Sequence, residues 1–255
     1  MKFTILGSGS SVPHPKRTSS AYWLETVSGS ILLDFSPSAI HRMAQENLDW
    51  ANLDAIWISH FHLDHCGGLA PFLFATKYAN ETQTRKKPLR IFGAVGLKKL
   101  INSFDKANDY GLFDQPFPLE VVEIKELVAF KILSDIEAVA FSTPHTIDSH
   151  AIRITAETGK SIVFTSDTGL DKSIGSFAKA TDLLVIECSF FKNKPTAKHL
   201  ELAEAMFLTQ IAKPKKVVLT HLYAEWDDVN FTDEIAKFSP ICEIIEAKDG
   251  LRIEI

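Results

Sequence analysis

Apolar positions along the chain fall into short runs bounded by turn residues, and the period of each run sets the element expected there. Lys2 to Leu6, Ala21 to Glu25 and Ser30 to Phe35 read as strands, the last two joined at Ser28-Gly29, so the chain should open with a β-meander. Asp54 to Ser59 (DAIWIS) reads as a buried strand ending at a histidine, and Leu69 to Tyr78 as an apolar helix that follows Gly67 and Gly68. Residues 81 to 88 (ETQTRKKP) form a polar loop, LRIFG a further strand, and Leu97 to Asn108 an amphipathic helix. From Leu119 to Ser166 short strands return, with Glu157 to Lys160 as a hairpin turn, which predicts a second sheet. Lys198 to Ala212 carries Leu202, Ala205, Met206, Leu208 and Ile211 at helical spacing before Pro214 stops it, and KKVVLTH begins another strand. ICEIIEAKDGLRIEI is expected to close the chain as a hairpin. Strands alternate with helices without an internal repeat, a low-complexity tract or a linker, so the expectation is an α/β (α+β) fold with residues 1–255 in one domain.

Composition narrows the classes without choosing a chemistry. Hydrophobic residues make up 45% of the 255 and charged residues 23%, which allows a packed core and gives no reason to expect extended disorder. The opening MKFTILGSGSSVP has one Lys and an apolar run too short for a secretory signal. No segment approaches the roughly 20 apolar residues of a membrane helix. A soluble protein without a membrane partner is expected. Cys66, Cys188 and Cys242 are scattered with no CxxC spacing, so neither a disulfide framework nor a thiolate zinc knuckle is suggested, and a reducing cytoplasm fits. A net charge of −5 supplies no long-range pull toward polyanions such as RNA. The dense basic run Arg85-Lys86-Lys87 reads as a solvated loop.

The segment SHFHLDHCGG places His60, His62, Asp64 and His65 within six residues. Residues i and i+2 of an extended segment point to one side, so His60 and His62 can converge on one cation as the strand runs out, and the turn brings Asp64 and His65 onto a neighbouring position. Imidazole and carboxylate are ligands for zinc and other borderline divalent metals, and four of them exceed what one open catalytic site needs, which favours two ions. Chance assembly of HxHxDH in a chain this poor in histidine is on the order of one in a thousand, so the cluster reads as functional. Gly67 and Gly68 would let the next backbone segment approach the cluster. Further ligand candidates stand where strands should end: His145 in FSTPHT, Asp167 in VFTSDTG and His221 in VVLTH. A carboxylate shared between two dications would offset their repulsion, and Asp167 is the candidate for it.

HFHLDH followed by His145, Asp167 and His221 resembles the metallo-β-lactamase superfamily over most of the chain. The resemblance implies a four-layer αββα sandwich, two facing mixed β-sheets with outer helices, and a dinuclear zinc site at one edge. It would place His60, His62 and His145 on one zinc, Asp64, His65 and His221 on the other, and Asp167 between them; manganese or iron would also suit such ligands. Within the superfamily, LGSGSSVP, PLRIFGAVGL, TSDTG and KHLELAEAMFLTQIAKPKKVVLTHL are similar to stretches of ribonuclease Z and related phosphodiesterases. That likeness implies a histidine, here His199, opening the helix before the last metal-binding strand, and a homodimer. Ribonuclease Z proper carries a Gly- and Lys-rich arm that grips tRNA, and no such insertion lies between Asp167 and His221; Lys192, Lys194 and Lys198 are only a sparse basic set.

The expected function is phosphodiester hydrolysis by a bridging hydroxide, with Asp64 and His199 as catalytic groups acting on a small molecule or an RNA end. The cage fixes the nucleophile and not the substrate, so a thioesterase, lactonase or β-lactamase is the first rival. A non-catalytic, metal-stabilised nucleic-acid-binding or regulatory protein is the second, and a di-iron redox protein a third, although no flavin-binding domain is evident to supply electrons.

Overall fold

The computed structural model describes residues 1–255. The strands are β1 (Lys2–Gly7), β2 (Ala21–Glu25), β3 (Ser30–Leu33), β4 (Ala55–Ile58), β5 (Leu89–Gly93), β6 (Leu119–Glu123), β7 (Phe130–Leu133), β8 (Ile136–Ser142), β9 (His150–Ala156), β10 (Ser161–Phe164), β11 (Leu183–Glu187), β12 (Lys216–Thr220), β13 (Glu243–Glu246) and β14 (Arg252–Glu254). The helices are α1 (Ala39–Gln45), α2 (Leu63–Cys66), α3 (Leu69–Tyr78), α4 (Leu97–Lys106), α5 (Lys172–Phe177), α6 (Leu202–Ala212) and α7 (Phe231–Ala236), with three short 3₁₀ turns between them. None is long and apolar enough to cross a membrane.

Two seven-stranded sheets result, ordered β14-β1-β2-β3-β4-β5-β6 and β13-β12-β11-β10-β9-β8-β7. Side-chain alternation decides how they stack. One face of the first sheet presents Phe3, Tyr22, Ile31 and Trp57 to Ile136, Ile152, Ile162, Val185 and Val218 of the second, forming the central core. Its other face packs Leu32, Ile56 and Ile91 against Met43, Leu69, Phe72 and Ile101 of α1, α3 and α4. The outer face of the second sheet buries Leu184, Ile186 and Leu219 under Ile174, Met206, Leu208 and Ile235 of α5, α6 and α7. This is the αββα sandwich of the metallo-β-lactamase type. Central strands such as β4 (AIWI) and β11 (LLVIE) are buried on both faces, which is why they read as unbroken apolar runs.

Strands β3 to β6 run parallel, as do β10 to β13. Their carboxyl ends therefore lie along one edge of each sheet, where loops can converge on a ligand.

Four expectations need correction. The strands from Leu119 onward do not all join the second sheet, since β6 pairs with β5 at the edge of the first. The closing segment is no hairpin: β13 pairs with β12 in the second sheet, and β14 with β1 in the first. Between them Ala247 donates to Leu219 and Gly250, with φ 88°, donates to Ile5, so the chain crosses the sandwich there. Periodicity identifies a strand but not its partner. The last long helix begins at Leu202, later than the helical spacing implied, because Glu201 and Glu204 form a reciprocal capping box at its start. Finally, Arg85 is not solvated. It is buried over the Phe117 ring and donates to the carbonyls of Ala51, Leu53, Lys87 and Pro88, stapling the loop before β5.

Candidate metal centre

The centre is assembled from the carboxyl ends of β4, β8, β10 and β12. After β4 the chain continues extended through His60 and His62, and α2 then turns Asp64 and His65 inward. A Cβ at Gly68 would lie 2.4 Å from the Ser36 carbonyl oxygen, and one at Gly67 would lie 2.5 Å from that of Leu63. Gly68 is thus required for α3 to pack onto the loop after β3, and Gly67 for the turn that closes α2. His145 follows β8, Asp167 follows β10 and His221 follows β12, so the three residues distant in sequence arrive at the same edge as the contiguous four.

His60, His62, His145 and Asp167 offer one ligand atom each within 4.8 Å of one another, as do Asp64, His65 and His221. His62 Nδ1 lies 3.0 Å from His60 Nε2 and 3.1 Å from His145 Nε2. Asp167 divides its oxygens between the groups: Oδ2 is 3.8 Å from His60 Nε2 and 3.6 Å from His145 Nε2. Oδ1 is 3.3 Å from both His65 Nε2 and His221 Nε2. Asp64 Oδ2 completes the second group at 3.4 Å from His65 and 3.6 Å from His221.

His65 Nε2, His221 Nε2 and Asp167 Oδ1 are buried without a hydrogen-bond partner. Three orphaned polar atoms facing one point are costly in a folded interior unless a cation satisfies them. The residues therefore fit a pair of divalent ions. Charge agrees: Asp34, Asp64, Asp167 and Glu187 are four carboxylates in or against the cluster, matching two dications.

Burial pushes the His60 imidazole down to about 2, aided by its neighbour His65, and burial lowers His145 as well, so both offer lone pairs. Burial alone would lower His65, but the Asp167 and Asp34 carboxylates hold it well above the ordinary range; His221 is likewise raised against burial by Asp167 and Asp64. Burial would raise Asp167, but His221 and His65 keep its carboxyl well below the usual carboxylate range.

Further contacts hold four of the rings. Asp34, fully buried, accepts from the Ser59 amide and hydroxyl and stands 2.6 Å from His65 Nδ1. Ser59 Oγ is 3.1 Å from His60 Nδ1, and the Lys198 carbonyl accepts from His145 Nδ1 at 2.9 Å. Ser189 Oγ donates to Glu187 at 2.6 Å and lies 3.0 Å from His221 Nδ1. Such partners set tautomer and ring direction. Asp34, Ser166 and His221 take φ of 59°, 54° and 60°, left-handed conformations at the ends of strands that turn the chain abruptly into the site.

His199 precedes α6 rather than opening it. Its Nδ1 is 2.9 Å from Glu187 Oε1 and 4.0 Å from Asp167 Oδ2. Sequence reasoning missed Glu187 and Asp34, although both are charged residues at or just beyond the end of an apolar strand, the same signal that marked Asp167 and His221. Trp226 is buried and donates to the Cys188 carbonyl, while Tyr223 stacks on Phe190; both are packing residues.

Comparison with known proteins gives three kinds of likeness. The family model described as "Anti-Pycsar protein Apyc1" matches residues 1–241. The probable metallo-hydrolase YhfI of Bacillus subtilis is 25% identical over 231 residues, 87% of each chain. A ribonuclease Z of Shouchella clausii is 26% identical over 312 residues, covering 100% of this chain and 97% of that one. The crystal structure of the metallo-β-lactamase fold protein YhfI from Bacillus subtilis superposes with a TM-score of 0.80 at 24% identity, covering 99% of both chains.

Proposed function

The chain belongs to the family described as Anti-Pycsar protein Apyc1 and is a metal-dependent hydrolase of metallo-β-lactamase fold; from that premise we propose that it is a phosphodiesterase similar to ribonuclease Z, acting on small phosphodiesters. The observation that carries this reading is His199, an imidazole set against Glu187 and 4.0 Å from Asp167, which groups with Asp167 and His221 beyond the seven residues assigned here to the two ions. A hydrolase that needed only a nucleophile would have no use for it.

His60, His62 and His145 would hold one ion and Asp64, His65 and His221 the other, with Asp167 between. When bound, two divalent ions, zinc above all, lower the pKa of a water and neutralise charge that builds on phosphoryl oxygens. The residues supply the rest. Asp64, partly exposed, orients the attacking water and accepts its proton. Glu187 holds His199 through Nδ1, which leaves Nε2, without a partner inside the protein, to donate a proton to the departing alkoxide as the phosphorus–oxygen bond breaks. Asp34 and Ser189 keep His65 and His221 aimed while charge shifts around them.

Substrate size follows from what is missing. Residues 188–201 return directly from β11 to α6, whereas the alignment to the Shouchella clausii ribonuclease Z spans 312 positions against 255 residues here, so that relative carries insertions this chain lacks. A short connection offers no arm for gripping a folded RNA. The test is turnover by zinc-loaded protein on bis(p-nitrophenyl) phosphate, small cyclic nucleotides, tRNA precursors, a thioester, a lactone and a β-lactam. Turnover confined to the small phosphodiesters is expected; turnover on the thioester, lactone or β-lactam alone would replace this reading. The homodimer implied by resemblance is checked by light scattering of the same preparation.

A further inference from the structure

The loop between β1 and β2 reaches across to two later segments, the turn after β12 and the crossing between β13 and β14. Asp249, in the crossing, accepts from the amides and hydroxyls of both Ser8 and Thr18 at 2.7 to 2.9 Å. Arg17, only 9% exposed, pairs through Nη1 with Asp227 and through Nη2, at 3.5 Å, with Glu246. His14 accepts the Lys16 amide at Nδ1 and therefore donates from Nε2 to Asp227 Oδ2 at 3.1 Å. Three segments distant in sequence thus meet through charged side chains, none of which is a candidate metal ligand.

Between these segments lies a cavity of about 390 Å³ whose walls carry Lys16, Arg17, Asp227, Glu246, Lys248 and Asp249. Its volume falls among small-molecule sites, roughly 300 to 1,000 Å³. Three cations balance three carboxylates in charge, but not in hydrogen-bonding capacity. Asp249 is saturated by the four donors of Ser8 and Thr18, and Asp227 is covered by Arg17, His14 and, at 3.7 Å, Lys16. Glu246 faces Lys248 at 3.3 Å as well as Arg17. Donors are left over. Arg17 Nε makes no hydrogen bond inside the protein, and the Lys16 and Lys248 side chains, 75% and 69% exposed, each meet one carboxylate and no other acceptor. A cavity whose unused groups donate selects an anion.

The arrangement also distinguishes between anions. The Arg17 fork by itself would satisfy a planar carboxylate, so cations added from Lys16 and Lys248 suit a tetrahedral group with more oxygens to offer. Trp226, Val229 and Ala247 supply an apolar wall for a body attached to that group. We propose that this cavity is a second ligand site, separate from the metal centre, which binds a phosphate monoester through Arg17, Lys16 and Lys248. Its occupant would bridge the β1–β2 loop to the crossing beside the Asp249 contacts. The site stands on this cavity alone and does not depend on the phosphodiesterase reading.

The test is calorimetric titration of phenyl phosphate into zinc-loaded protein, repeated after a chelator has removed the zinc so that binding at the metal centre is told apart. One binding event should persist in both preparations and weaken as salt rises. In Lys16→Ala/Lys248→Ala it should weaken about tenfold or more, at unchanged zinc content and thermal midpoint. Arg17→Lys keeps the charge and loses the fork, and should weaken it as well; should that variant fail to fold, the exposed lysine pair still decides. Equal binding by wild type and the lysine variant, or binding that disappears with the zinc, would overturn the proposal. So would benzoate or benzylamine occupying the cavity more tightly than phenyl phosphate. No turnover is read in these titrations, so their outcome and that of the substrate panel are independent.

Discussion

The first sheet delivers His60, His62, Asp64 and His65 from one loop and one helical turn, whereas the second delivers His145, Asp167, Glu187, His199 and His221 from four separate connections. The two halves are alike in architecture and opposite in how they encode chemistry. A contiguous cluster needs only a strand end and a turn. The dispersed set needs β8, β10, β11 and β12 to point the same way, a property of sheet topology that exists only once the strands have paired. Local sequence can therefore specify the first set by itself, and the second only through the fold.

The strongest way to break this contrast is at Asp167, whose two oxygens face both groups. Asp167→Ala should lower phosphodiester turnover on the order of a thousandfold and reduce zinc in both positions, as read by elemental analysis. If one full equivalent of zinc remained tightly bound, the shared carboxylate would not be what joins the halves. Next is His199→Ala, expected to keep two equivalents of metal and lose about a hundredfold to ten-thousandfold in kcat. Metal loss in that variant would move His199 from proton transfer to ligation. On the contiguous side, Asp34→Ala removes the carboxylate behind His65 and should weaken zinc affinity roughly 10- to 100-fold, measured by competition with a chelator. An unchanged affinity would mean that the first sheet needs no support beyond its own motif.

The smallest effect lies at the far ends of the same strands. Asp182, at the start of β11, accepts from the Ser161 amide and from Lys215. Burial would raise its carboxyl, but Lys215 and the Ser161 amide outweigh that and hold it below the ordinary range. A carboxylate lowered in the folded state contributes stability above its unfolded pKa, about 3.9, and loses it as pH falls through the folded value. The urea midpoint of metal-free wild type should thus exceed that of Asp182→Asn at pH 7, and the gap should close below about pH 4. A gap independent of pH would deny the charge any part in it. Carboxyl ends would then carry chemistry and amino ends stability.

The strands and helices were legible because apolar runs with those periods alternate so plainly, while their four-layer stacking came only from the resemblance, and HxHxDH was legible because four ligand residues crowd into six positions. His145, Asp167 and His221 were found only as residues beyond strand ends, and acquired partners through resemblance. What escaped is what depends on neighbours far away in sequence. The pairing of β14 with β1 is invisible to periodicity, and Arg85 looked solvated because two of its four carbonyl partners, Ala51 and Leu53, belong to a distant segment whose proximity the loop composition does not reveal. Glu187 passed as a charge interrupting an apolar strand, since nothing local shows that Thr168, Ser189, His199 and Leu200 all turn toward it.

The left-handed residues at Asp34, Ser166 and His221 set a limit on hardening this enzyme by engineering. Each stores roughly 1 kcal/mol that glycine would release. Yet Asp34 and His221 would take with them the groups that hold or form the centre, and Ser166 the hydroxyl that donates to Ser59 at 2.6 Å. Heat resistance would have to be sought elsewhere in the sandwich, because at these three corners relaxation and readiness for chemistry are mutually exclusive.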